Sequence, residues 1–259
     1  MNHPAPEAAT SSQQSKIPSS KANKAVPLSV WLTEPLAGCC PTCENPTGAA
    51  CAQRIPPGLA RQITEAFSAR GDLVFIPDAG NAAVLAAAVQ AGRRVLALAS
   101  SHQSAHLAYD TLHITAPTVA SLAVLRRGTP GHPSGRADSQ QGRARLAIAA
   151  PHDSATPVQL TALAETCTRA LRPDGVLVIC TRQTSGQETA GHVVAHARAS
   201  GLVYLQHIAA VEATAGDAGL VPRAPVRTQH HPGCACHHPR PGSGRHALIH
   251  SDLLVFTKP

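Results

Sequence analysis

The sequence predicts an α/β domain on a mostly parallel, seven-stranded sheet that ends in an antiparallel hairpin, and three observations predict it. From residue 71 onward, short apolar runs alternate with segments of helical period. Within "DLVFI", "RVLALA" and "VLVICT" all residues but one at an end are apolar, which is the pattern of parallel strands covered on both faces. Finally, the chain closes on two long segments with apolar alternation, "LVYLQHIAAVEA" and "ALIHSDLLVFTKP", which suit an antiparallel pair.

The elements follow in order. Residues 1–26 are Ser, Pro, Ala and Lys without an apolar period, a composition that cannot offset the entropy of ordering, so a disordered tail is expected. Residues 27–70 form a leader: "PLSVWLTEPL" carries the only Trp, and a Cys-rich loop at 39–51 precedes a helix near 58–69. This leader is expected to pack across the main sheet. Residues 71–259 form the domain proper. A strand at 72–77 enters a small-residue turn at Gly80, then a helix at 81–91 that Gly92 ends. "RVLALA" is the second strand, 101–110 a short helix and "TLHIT" the third strand. Residues 126–143, rich in Gly, Pro, Ser and Arg, predict a mobile basic loop. "RLAIAA" is the fourth strand, 158–171 an amphipathic helix with "RPDG" as its stop, and "VLVICT" the fifth strand. A helix at 188–200 stops at Gly201, and a second long basic loop separates the two closing strands.

At 259 residues the chain can bury one sizeable core. A formal net charge of +7, with fifteen histidines in reserve, favours a polyanionic partner such as nucleic acid, whereas 2% aromatic content argues against base-stacking platforms. The N-terminal stretch has no apolar signal region, and no apolar run approaches the roughly 20 residues of a membrane span, so no membrane association and a cytoplasmic location are expected. Eight cysteines do not suggest a disulfide scaffold, and Cys167 and Cys180 fall in core elements as small hydrophobes. Two clusters have metal-ligating residue types: Cys39, Cys40, Cys43 and Cys51, and then His230, His231, Cys234, Cys236, His237 and His238. The spacing from Cys43 to Cys51 matches no familiar zinc module, and the second cluster would take up transition metals only opportunistically, so both are read as solvated loops and no metal is expected.

Taken in order, "SVW", "GDLVFIPDAGNAAVLAAAVQAGR", "APHD", "LRPDGVLVICTR" and "HSDLLVF" resemble the motifs of actinobacterial DNA N4/N6-methyltransferase-like proteins. The resemblance runs patchily over about residues 28–259 and implies a Rossmann-like class I fold with S-adenosylmethionine as cofactor. It places Pro77, Asp78, Gly80 and Asn81 along the cofactor and Ala150, Pro151, His152 and Asp153 at the target base.

Several positions depart from that pattern. The acidic residue that ends the family's first strand falls on Ile76, the second glycine of the turn on Ala82, and the ribose-binding acid after the second strand on Ala99. An acid expected after the third strand is missing around 115–117. Of the [D/N/S]PP[Y/F] turn, which holds the target amino group and stacks on a flipped base, Pro151 alone survives, with His152 able to stack and Asp153 able to accept from an amino group.

The reading is therefore a DNA adenine-N6 or cytosine-N4 methyltransferase-family protein with eroded motifs. Its alternatives are a degenerate relative serving as a nucleic-acid or protein-binding module, and an RNA methyltransferase. Arginines within 126–145 and 223–245 are the candidate phosphate contacts, and a working enzyme requires a crevice at the carboxyl ends of the first two strands.

Overall fold

The computed structural model describes residues 27–33, 55–133, 141–151, 155–181, 189–217, 219–222 and 250–259. Ten strands are present among them: β1 (Leu28–Thr33), β2 (Leu73–Ile76), β3 (Arg94–Ala99), β4 (Ala123–Thr129), β5 (His132–Pro133), β6 (Ala144–Ala149), β7 (Leu171–Thr181), β8 (Val203–Gly216), β9 (Gly219–Pro222) and β10 (His250–Thr257). The helices are α1 (Pro57–Phe67), α2 (Ala82–Gln90), α3 (His102–Thr115), α4 (Pro157–Ala170) and α5 (Thr189–Ala199).

Eight strands make the main sheet in the order β1-β8-β10-β7-β6-β2-β3-β4, while the short β5 and β9 pair antiparallel with β4 and β8. Only β10 runs against its neighbours in the main sheet, lying antiparallel to both β7 and β8. The α/β class, the parallel centre and the antiparallel C-terminal strands are thus as expected. Two cores flank the sheet. On one face α1, α2 and α3 contribute Leu59, Ile63, Leu85 and Leu112; on the other α4 and α5 contribute Leu163, Cys167, Val193 and Ala197. Eight of the nine residues of α2 are buried, because this alanine-rich helix lies between α1 and α3 on the sheet.

Four expectations need correction. The sheet has an eighth strand because β1 extends it at the edge beside β8 instead of crossing it; only α1 crosses, and Trp31 stacks on Phe67 at 6.0 Å. "TLHIT" is the last turn of α3, not a strand. A capping box starts that helix, with Ser104 N–H donating to Ser101 Oγ at 3.0 Å, and Ala105, Ala108, Leu112 and Ala116 follow at helical spacing toward the core. The strand paired with β3 is β4, whose Arg126 and Arg127 lie inside the segment expected to be loop. "RPDG" is a corner within the β7 span: Asp174 has φ 58°, and its N–H donates to Lys258 O. A Cβ on Gly175 would stand 2.8 Å from Arg172 O, so glycine is required there.

Candidate functional site

β2 sits at the point where the sheet's winding reverses. The chain leaves it through α2 to β3 and β4 on one side, whereas β6 and β7 are added on the other. In open α/β sheets a crevice for ligands forms outside the carboxyl ends of strands at such a point. The pairs Val74↔Leu146 and Phe75↔Ala147 bring the end of β2 beside the end of β6, so Pro77–Asn81 and Ala150–Pro151 are neighbours.

The turn after β2 is held by its own polar groups. Asp78 Oδ1 accepts from Gly80 N–H at 2.9 Å, Asp78 O accepts from Asn81 N–H at 3.2 Å, and Ala79 N–H donates to Leu98 O at 2.7 Å, which ties the turn to β3. Pro77 and Asn81 are buried, Gly80 is half-buried and Asp78 is exposed. Gly80 is not among the glycines with positive φ, so its value is the absence of a side chain and not an unusual backbone. Asn81 is the N-cap of α2, without a side-chain cap bond.

The positions at which the resemblance puts acids are apolar and closed. Ile76 and Ala99 are 1% and 2% exposed and belong to the core on the α1–α3 face. Arg127 is the register partner of Ala99, and its guanidinium stands 3.5 Å from His102 Nε2. With the third parallel strand now ending at Thr129, the acid sought at 115–117 has to be sought at 127–129 instead, where the residues are Arg, Gly and Thr. Positions 76, 99 and 127–129 thus offer no carboxylate to this crevice; the one in its turn is that of Asp78, whose Oδ1 is bonded to Gly80 N–H.

Ala150 is buried and Pro151 half-buried at the end of β6, whereas His152 and Asp153 lie outside the described residues. Of the predicted arginines, the described ones do not converge, and Arg136 lies outside the described residues. Arg126 and Arg127 are exposed at the carboxyl end of β4; Arg143 and Arg145 stand at the start of β6, on the opposite edge, and Arg145 donates to Asp174 O. Arginines 223–245 and both Cys/His clusters lie outside the described residues. Cys167 and Cys180 are buried as expected, and burial pushes the Cys167 thiol up to about 12. A groove of about 580 Å³ lies away from the crevice, between β1 and α1, lined by Trp31, Gln62 and Glu65 among others.

A group of buried polar residues at the same carboxyl edge was missed by sequence reasoning. Thr33, Glu212 and Ser251 are buried there, as are Thr181 and Asp252. His207 Nε2 donates to Asp252 Oδ1 at 2.9 Å. Burial and the nearby Asp252 raise the Tyr204 hydroxyl above its ordinary value. The signal was present in "HSDLLVF": a Ser-Asp pair opening a strand that is otherwise apolar.

No family model matches the sequence, and no curated protein does. Among solved structures it is similar to a geranyl diphosphate methyltransferase in complex with GPP and sinefungin (TM-score 0.54, 12% identity, 77% of this chain and 78% of that one). It is also similar to a precorrin-6y C5,15-methyltransferase from Geobacter metallireducens GS-15 (0.53, 15%, 82% and 93%). The fold is the Rossmann-like fold of methyltransferases. A third neighbour with this fold is the [4+2]-cyclase SpnF (0.52, 12%, 83% and 85%), so the fold alone does not fix the chemistry. Among the described residues no helix is long and apolar enough to cross a membrane, and no group of three metal-ligating side chains is found.

Proposed function

We propose that the chain is an S-adenosylmethionine-dependent methyltransferase that modifies an exocyclic amino group, with nucleic acid, DNA before RNA, as its partner. The observation that carries this reading is the switch point, which sets the Pro77–Asn81 turn beside Ala150–Pro151. One neighbour, the geranyl diphosphate methyltransferase, has been solved in complex with SAM, which supports the cofactor assignment. When bound, the cofactor supplies an electrophilic methyl group. Pro77, Asp78, Gly80 and Asn81 line it, and Pro151 with His152 and Asp153 lines the amino group that receives the methyl. Exposed Arg126 and Arg127 contact phosphate.

The buried Ile76 and Ala99 favour a second reading, a binding module that has lost cofactor affinity. Calorimetric titration with S-adenosylmethionine and S-adenosylhomocysteine separates the two. The first reading expects both ligands to bind, whereas the second expects neither to, so no binding by the native chain overturns the first.

A further inference from the structure

Thr181 ends β7 and Asp252 lies near the start of β10, and the two are register partners, so their side chains stand on one face with Cβ atoms about 5 Å apart. The position is not arbitrary. Leu177 pairs with both Ala147 and Phe256, and Ala147 pairs with Phe75. The last pair between β6 and β7 is Ala149↔Ile179, two residues before Thr181 on the same face of β7. The pair therefore stands at the carboxyl edge beside the exit of β6, on the side of β6 away from the cofactor turn.

Both residues are 4% exposed. Asp252 Oδ1 is engaged, accepting from His207 Nε2–H at 2.9 Å with His250 Nε2 at 3.8 Å. Asp252 Oδ2 and Thr181 Oγ1 have no hydrogen-bond partner among the described residues. Buried polar atoms in folded proteins are paired as a rule, so two adjacent orphans beside a substrate crevice indicate an absent ligand. Their chemistry identifies its class. A carboxylate oxygen only accepts, whereas a hydroxyl can donate, and an acceptor beside a donor is the complement of an amino N–H beside a ring nitrogen.

We propose that Asp252 and Thr181, with His207 as the positioning residue for the carboxylate, bind the amidine-type edge of an aminated heterocycle. Asp252 Oδ2 takes the exocyclic N–H and Thr181 Oγ1–H the ring nitrogen. The inference deepens the amino-directed reading above and rests on it.

The test is binding of cytidine and of its deamino analogue, the 2-pyrimidinone riboside, to the full chain by calorimetry. Cytidine is chosen because the cofactor itself carries adenosine. The native chain is expected to favour cytidine about tenfold or more, because a site built to accept an N–H rejects a ligand without it. Asp252→Asn, nearly isosteric, turns the free acceptor into a donor and abolishes the preference. Thr181→Val weakens both ligands alike and leaves the preference intact. Equal binding of the two ligands to the native chain, a preference that survives in Asp252→Asn, or no binding at tens of millimolar overturns the proposal. A parallel S-adenosylmethionine titration separates the failures. Cofactor binding without amino preference removes this inference alone; amino preference without cofactor binding removes the methyl-transfer reading alone.

Discussion

Introducing an acid at position 76 tests whether the Pro77–Asn81 turn rests on a closed core. Ile76 is 1% exposed and packs in the same core as Leu85 and Ile148. Ile76→Asp forfeits about 1.5–3 kcal/mol of apolar burial. The introduced carboxyl has no donor built for it and adds on the order of 1–3 kcal/mol. The sum is about 3–6 kcal/mol, a large part of the roughly 5–15 kcal/mol that holds a domain together. At about 2–4 °C per kcal/mol for a chain of this size, Tm should fall by roughly 10–20 °C. Thermal unfolding followed by circular dichroism measures it, with S-adenosylmethionine titrated into both proteins. A variant that melts within about 3 °C of the native chain and binds the cofactor more tightly would refute the reasoning, because position 76 would then be a vacant acid site and not core.

Two further outcomes concern the α4 side of the sheet. Lys258 Nζ donates to Thr168 O at 2.9 Å and Leu171 O at 2.8 Å, capping the carboxyl end of α4 with a charge, so Lys258→Met should cost about 2–4 kcal/mol in urea unfolding; a loss below about 0.5 kcal/mol would show the cap to be solvated. Burial raises the Cys167 thiol from 9.0 to about 12, so the folded state holds its proton where the unfolded state has lost it. The contribution is complete below pH 9 and is lost as pH rises toward 12, at about 1.4 kcal/mol per pH unit and about 4 kcal/mol in all. Urea curves at pH 8, 9 and 10 should show this decline in the native chain and a smaller one in Cys167→Ala.

The central strands were legible because burial on both faces leaves a continuous apolar run, as in Leu73–Ile76 and Leu146–Ala149. The edge strand β4 was not. Its Arg126 and Arg127 are exposed, and an edge strand open to solvent reads like loop. "TLHIT" misled in the other direction: three of its five residues are β-branched, yet the capping box at Ser101 and the spacing of Ala108 and Leu112 decide for helix. The strand-to-helix turn at Gly80 is local and could be read directly. The Thr181–Asp252 pair could not, because it exists only through the register of β7 against β10.

The central place of β10 also governs when this protein can fold. The strand fills the gap between β7 and β8 and is buried from Ser251 to Phe256, yet it follows both of them in the chain. Until it is in place, β7 and β8 each present an unpaired edge flanked by apolar side chains, a surface that invites pairing between unfinished molecules. Deleting β10 would therefore leave a chain prone to aggregate instead of a smaller domain.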